Sequence, residues 1–258
     1  MHHPLVNIAI KAALKAGDVI HRAFERFDLV KIEKKSTRDY VTDIDRKSEQ
    51  EIIYIIRQAY PDHGIIAEES GTQGDDEVVW IIDPLDGTNN FVHQVPHFSI
   101  SIAVQQKGRI EHGVIYDPIR RELFTASRGK GATLNDRRMR VSDQTTLDTA
   151  FVATGFPFRH EDSLSLSMMQ FNSMMQACKD VRRFGSAALD LAYVAAGRFD
   201  AYYELNLSLW DIAAGQLMVK EAGGMVTDTE GQENYLTSGN ILATNTQLIK
   251  KLLPVLNP

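Results

Sequence analysis

Trp80-Ile81-Ile82-Asp83-Pro84-Leu85-Asp86-Gly87-Thr88 decides how the rest of the chain is read. The apolar run from Val78 to Ile82 has the length and β-branched content of a short buried strand, and it ends abruptly in two carboxylates. Pro84 fixes one φ and removes an amide donor, so a sharp turn is expected between the acids. Gly87 leaves the amides of Gly87 and Thr88 accessible, beside an expected helix start at Asn89-Asn90-Phe91. Carboxylates next to free amides at a helix N-terminus suit a metal ion that holds a phosphate. The same letters equally describe a strand closing in an Asp-Pro and Asp-Gly turn with no chemistry attached.

Working outward, Leu5 to Phe27 sets Ile8, Ala12, Val19, Ala23 and Phe27 on one helical face. A second amphipathic helix from about Asp43 to Ala59 turns Ile52, Ile53, Ile55 and Ile56 inward, and Lys34 to Tyr40 before it is polar and loop-like. Gly64 to Ala67 is a buried strand that delivers Glu68 and Glu69 at its tip, and Gly71 to Glu77 is an acidic loop. Ser99 to Gln105, Ile110 to Tyr116 and Glu122 to Ala126 alternate as a meander. From about residue 145 strands and helices alternate. A strand at Thr149 to Thr154 precedes a Met-rich helix at Asp162 to Cys178 and a helix at Ser186 to Ala196. A strand at Phe199 to Glu204, a helix at Trp210 to Ala222 and short strands at 225–227 and 241–243 lead to a closing helix. The fold class is α/β, with an α+β half over residues 1–144 followed by an α/β half over 145–258.

With 258 residues the chain can bury a full core, and 43% hydrophobic with 24% charged residues describes an ordinary globule. A net charge of −6 argues against general nucleic-acid binding. The one cysteine, Cys178, excludes an intrachain disulfide and fits a reducing cytosol, so a cytoplasmic protein is expected. No stretch approaches the ~18 apolar residues of a membrane span.

Acids stand at element ends in four places: Asp45, Glu68 with Glu69, Asp83 with Asp86, and Asp211. Any one is unremarkable, because an acid in a first helical turn favours the dipole. Gathered in one cleft, two carboxylates about 4 Å apart repel by roughly 4 kcal/mol at an effective dielectric near 20. Such groups take up protons or bind cations, and all-oxygen ligands select hard Mg²⁺, Mn²⁺ or Ca²⁺ over zinc.

Glu68-Glu69-Ser70, then Asp83-Pro84-Leu85-Asp86-Gly87-Thr88, then Trp210-Asp211-Ile212-Ala213-Ala214-Gly215 with Glu221-Ala222-Gly223-Gly224, resemble the inositol monophosphatases over nearly the whole chain. Ala153-Thr154-Gly155-Phe156-Pro157-Phe158 and Gly185-Ser186-Ala187-Ala188-Leu189-Asp190 are most similar to the bacterial SuhB-type members. Asn89 departs from that pattern, where a second Thr is commoner; it lies outside the ligand set. The resemblance implies the five-layered α/β/α/β/α sugar-phosphatase fold, a homodimer, and a lithium-sensitive inositol-1-monophosphatase working with two to three Mg²⁺ ions.

Carried over position by position, it implies Glu68, Asp83 and the Leu85 carbonyl on a first Mg²⁺ and Asp83, Asp86 and Asp211 on a second. A third, weaker ion would sit near Glu68 through water. Asp45 and Thr88, with Glu68, would serve the attacking water. Asp86, Gly87, Thr88, Gly185, Ser186, Ala187, Glu204 and Asp211 would contact a small phosphate monoester and its hydroxyls. Glu204 also suits a plain charge capping a strand. Lys34 and Lys35 align loosely with a family lysine near the metals, and a solvated loop describes them as well. Arg182 and Arg183 read structurally as a solvated turn. Because SuhB-type proteins join the Nus transcription-antitermination assembly, the pair is also a candidate patch for RNA polymerase or Nus factors. His93 and His97 lack a carboxylate or serine partner and are expected to pack.

Two other classes compete. A haloacid-dehalogenase-like phosphatase also sets acids after an apolar strand, but needs Asp-x-Asp so that both point one way. A non-enzymatic regulator with a residual site is opposed by the complete acid set. The sequence does not choose among inositol, glycerol, sugar and nucleotide monophosphates.

Overall fold

The computed structural model describes residues 2–36, 39–157 and 161–257, with the side chains at 34–36, 39–41 and 161 outside the description. Lys34, Lys35 and Phe158 therefore lie outside the described side chains. Helix α1 (Pro4–Glu25) is followed by the hairpin β1 (Ile32–Ser36) and β2 (Asp39–Thr42) and by α2 (Asp43–Ala59). Then come β3 (Gly64–Ala67), β4 (Gly71–Gln73), β5 (Val78–Asp86), α3 (Thr88–Val92), β6 (Ser99–Gln106), β7 (Arg109–Asp117), β8 (Glu122–Ser127), β9 (Gly131–Leu134) and β10 (Arg137–Arg138). The remainder runs β11 (Phe151–Thr154), α4 (Glu161–Ala177), β12 (Asp180–Arg182), α5 (Ala187–Ala195), β13 (Ala201–Glu204), α6 (Leu209–Glu221), β14 (Met225–Thr227), α7 (Tyr235–Ser238), β15 (Ile241–Thr244) and α8 (Ile249–Leu256).

Apart from the two-stranded β1-β2 pair, a first sheet runs β10-β9-β8-β7-β6-β5-β3-β4 and a second β12-β11-β13-β15-β14. Their faces bury three apolar clusters. Trp80, Ile82 and Val114 join Ala9, Ala13 and Ile20 of α1 and Ile52 and Ile56 of α2 on one side of the first sheet. Ile81, Ala103 and Ile115 point the other way, onto Leu189 and Ala192 of α5 and Ala213 and Leu217 of α6, which also meet Tyr202 and Ala243 of the second sheet. The outer face of the second sheet, through Val152, Tyr203 and Leu242, is covered by Met174 of α4 and Leu252 and Leu256 of α8. The five layers are thus helix, sheet, helix, sheet, helix. Strict period-2 alternation lets β5 serve two cores at once, and each fully buried Ile or Leu contributes about 1.5–3 kcal/mol.

Three departures from the sequence reading are informative. The stretch 34–40 is not simply a loop: β1 and β2 pair antiparallel around it. That hairpin is held by backbone bonds and carries no apolar alternation to announce it. Residues 71–73, read as loop, add β4 to the sheet edge, antiparallel to β3. Strand β5 does not stop at Ile82 but continues through Asp86, with its register broken between Asp83 and Asp86. Among the methionines of α4, Met174 is buried while Met168, Met169 and Met175 are exposed.

Candidate active site

The break in β5 puts two acids on one side of the sheet. Asp83 pairs with Ser101 and Asp86 with Ser99, so three steps along β5 match two along β6. Residues three apart on a regular strand face opposite ways, but an extra residue in a bulge turns the later one back. Pro84, which cannot donate to the ladder, sits inside that bulge. The acid pair spaced as Asp-x-x-Asp therefore acts as Asp-x-Asp would on an unbroken strand.

Both acids face α5 and α6. The Ser186 hydroxyl donates to Asp86 Oδ2 at 2.6 Å and the Ala188 amide to the same oxygen at 2.8 Å, so Asp86 caps the N-terminus of α5. Leu85 N donates to Asp83 Oδ1 at 3.0 Å, folding the carboxylate back over the bulge. Asp211 stands in the first turn of α6, where its Oδ2 accepts from the Ser208 amide at 2.7 Å in a capping box. Glu68 follows β3, with its amide donating to the Ile82 carbonyl.

Gly87 caps α3 with φ +98°, a region that favours glycine. A methyl group there would lie 3.1 Å from the His97 carbonyl and 3.2 Å from that of Gly185, so the turn is also pressed between two backbones. From α3, the Thr88 hydroxyl reaches Asp45 Oδ1 at 2.9 Å and the Leu85 carbonyl at 3.0 Å. Asp45 is held by α2: its Oδ2 accepts from the Thr42 amide at 2.7 Å and hydroxyl at 2.6 Å, closing the capping box of that helix.

Glu68, Asp83, Leu85, Asp86, Gly87, Thr88, Gly185, Ala187, Glu204 and Asp211 line one open cleft of about 200 Å³. Ser186 stands behind it on Asp86 and Asp45 behind it on Thr88. At the far side the Tyr202 hydroxyl donates to Glu204 Oε2 at 2.5 Å. Gly155 gives that carboxyl its room, since a methyl group at Gly155 would collide with Glu204 Oε2. Tyr202 and Gly155 were missed as site residues. Two positions apart on β13, Tyr202 and Glu204 share a face, and that period was the available signal.

The electrostatics are those of crowded, buried acids. Burial, then the charges of Glu68, Asp86 and Asp211, hold Asp83 well above the usual carboxylate range. Burial and then Asp86 and Glu68 do the same to Asp211. Burial pushes Asp86 up to about 6 against the pull of its Ser186 and Ala188 donors. It raises Asp45 as well, opposed by Thr42 and Thr88. Glu204 is pushed up to about 7 by burial, opposed by Tyr202 and by the Arg183 charge.

As the side chains stand, no three His, Cys, Asp or Glu groups are assembled around a common ion position among the described residues. Asp83, Asp86 and Asp211 each spend an oxygen on a protein donor. The donor set nevertheless fits a hard divalent cation, because every available group is an oxygen and their mutual repulsion is what a cation relieves.

The arginine pair is split by the structure. Arg182 ends the edge strand β12, ion-paired with Asp180 and lying over the Phe151 ring at 5.3 Å. Arg183 is exposed too, yet it lines the cleft, so it is not a surface apart from the acids. The physical reason is Asn90, whose amide donates to the Phe184 carbonyl at 2.7 Å and to that of His97 at 2.8 Å, fastening the loop after β12 to α3. His97 packs against Phe184 and Tyr193, pushed down to about 4 by burial. His93 is exposed at the end of α3.

The family model for the inositol monophosphatases matches residues 1–257. The Nus factor SuhB of Pasteurella multocida is 53% identical over 258 residues, covering 99% of this chain and 97% of that protein. The Nus factor SuhB of Escherichia coli K12 is 51% identical over 253 residues, covering 97% and 95%. Among solved structures, the extragenic suppressor protein suhB of Bartonella henselae superposes with a TM-score of 0.95 at 44% identity, covering 98% of both chains. The inositol monophosphatase of Anabaena (Nostoc) superposes with a TM-score of 0.88 at 40% identity, covering 98% of this chain and 95% of that one.

Proposed function

The chain belongs to the inositol monophosphatase family, and from that premise we propose that it hydrolyses phosphate monoesters of polyols, myo-inositol 1-phosphate among them, with Mg²⁺. The observation that carries the reading is the Thr88–Asp45 hydrogen bond at 2.9 Å, set beside the acid-lined cleft. Glu68, Asp83, Asp86, Asp211 and the Leu85 carbonyl would hold two to three ions. Those ions, when bound, supply a water of lowered pKa and neutralise charge on the phosphate and its leaving oxygen.

The chain's own part is positioning. Asp45 is fixed by Thr42 and orients the Thr88 hydroxyl, which lines the cleft and would hold the attacking water. The amides of Gly87 and Thr88, at the start of α3, meet phosphate oxygens that carry transition-state charge. Asp86, held by Ser186 and Ala188, and Glu204, held by Tyr202, present acceptors to polyol hydroxyls, with Gly185 and Ala187 shaping the floor. The test is phosphate release from a panel of monoesters with and without Mg²⁺. Release that survives complete chelation rejects the reading.

The relatives named as Nus factors support a second role for the same protein, association with the transcription-antitermination machinery. A pull-down with the host's RNA polymerase and Nus factors tests it. A homodimer, lithium inhibition and a cytoplasmic setting belong to the same proposal. No described helix is long and apolar enough to cross a membrane.

A further inference from the structure

Asn90 does not line the cleft, yet it joins two segments that do. It is the third residue of α3, and its side-chain nitrogen donates to the Phe184 carbonyl at 2.7 Å and to the His97 carbonyl at 2.8 Å. Both partners only accept, so the nitrogen and not the oxygen must face them, and both amide protons are spent. The first carbonyl belongs to the loop between β12 and α5, which brings Gly185 and Ala187 to the cleft; the second precedes β6. A methyl group on Gly87 would lie 3.1 Å from the His97 carbonyl and 3.2 Å from that of Gly185, so the Gly87 turn is wedged between the segments that Asn90 ties down. The loop is fastened a second time where the Ser186 hydroxyl donates to Asp86. Between the two fastenings Gly185 turns the chain with φ +84°. Asp86 is also an acid assigned to metal above, whereas Asn90 spends both protons on the fold alone.

We infer that Asn90 is a positioning residue. It sets the gap between the phosphate-binding turn at Gly87-Thr88 and the polyol-binding loop at Gly185-Ser186-Ala187, and with it the preference for ring polyol esters over esters without hydroxyls. This rests on the phosphatase reading above. There the phosphoryl group is held from the α3 side and the leaving group from the loop side, on segments far apart in sequence. In-line attack needs both ends of the ester held at once, and a misplacement of about 1 Å costs on the order of 100-fold. A loop tied only through Ser186 is free to swing about Gly185, which has no side chain to limit its backbone. A polyol ester spans the gap and loses its orientation when the loop swings. A flat ester that touches the phosphate side alone loses little.

The test compares kcat/KM of the full chain, with Mg²⁺, on myo-inositol 1-phosphate and on para-nitrophenyl phosphate. Asn90→Asp keeps the shape but sets an acceptor against two carbonyls, so the clamp opens. It should lower the ratio of the inositol ester to the aryl ester by about 10- to 100-fold, with the aryl ester little changed. Asn90→Gln, which keeps two donors on a longer arm, should recover part of the ratio. Asn90→Ala, which removes the donors without adding an acceptor, is the second variant should Asn90→Asp melt early. Hydrogen exchange on the metal-free protein reads the clamp without turnover. Asn90→Asp and Asn90→Ala should both exchange faster over residues 183–187 and at the unaltered rate over β5 and β7. Equal losses on the two esters by folded variants, or unchanged exchange at 183–187, overturn the inference and leave Asn90 a residue of the α3 fold alone. Release from neither ester by the unaltered protein overturns the phosphatase reading and the specificity drawn from it; the exchange result then decides the clamp by itself.

Discussion

The Ser186 hydroxyl meets the Asp86 carboxylate at 2.6 Å across one hundred residues of chain, and that bond ties the first sheet to the start of α5. The Ala188 amide shares the same oxygen at 2.8 Å, so an acid of the cleft doubles as the cap of the helix carrying Ala187. The Ser99 and Ser186 hydroxyls approach to 3.4 Å beneath it. Site and fold are therefore coupled at this point, and changes to Asp86 act on both.

Removing metal should remove activity. The protein stripped with EDTA is expected to release no phosphate from myo-inositol 1-phosphate, and millimolar Mg²⁺ to restore release. Asp83 stands among the other three acids, so Asp83→Asn should abolish turnover and weaken Mg²⁺ binding in calorimetry. An Asp83→Asn protein more active than Asp45→Asn would refute this ranking.

Asp45 carries two loads that the sequence did not separate. Its Oδ1 orients Thr88, while its Oδ2 closes the α2 capping box with Thr42. Asp45→Asn should lower kcat and also cost about 0.5–2 kcal/mol in urea unfolding, the range for a lost cap. Thr88→Ala should lower kcat with the cap intact and the unfolding midpoint little changed. Equal destabilisation by the two substitutions would show that the cap is not what Asp45 supplies.

How far the site was legible follows from these residues. Every acid that lines the cleft read in the sequence as a charge at an element end; in the structure Glu68, Asp86, Glu204 and Asp211 stand at or beside one, whereas Asp83 sits inside β5 at its bulge. The five layers were not derivable from periodicity alone; they came from resemblance, and the sheet order came from the structure. The bulge at Pro84-Leu85 hid the common facing of Asp83 and Asp86, since residue spacing predicts opposite faces. Gly155, Asn90 and the cleft position of Arg183 depend on approaches between segments far apart in sequence, which no local pattern records.

Glu204 gives a pH test independent of catalysis. Burial raises it from an ordinary 4.5 to about 7, so between those values the folded protein keeps a proton that the unfolded chain has lost. Stability therefore falls as pH rises through that window. Glu204→Gln, which never ionises, should melt above the unaltered metal-free protein at pH 8 and level with it at pH 5. A difference in Tm that does not vary with pH would show that Glu204 is not held up by burial.

The last prediction separates catalysis from partner binding, and it falls on Arg182 and not on Arg183. Arg182 ends an edge strand, paired with Asp180 and stacked on Phe151, and it is absent from the cleft lining. Its neighbour one position on lines the cleft, so a substitution there confounds the two functions. Exposed charges act on association mainly through complementary potential, and exposed pairs contribute about 0–1 kcal/mol to stability. Arg182→Glu should therefore fold, keep most of its phosphate release, and lose association with an acidic face of the transcription machinery. Asp83→Asn should show the reverse. Both variants are to be assayed for phosphate release and for pull-down of RNA polymerase and Nus factors from the same preparation. Retention of full pull-down by folded Arg182→Glu would move any partner surface away from β12.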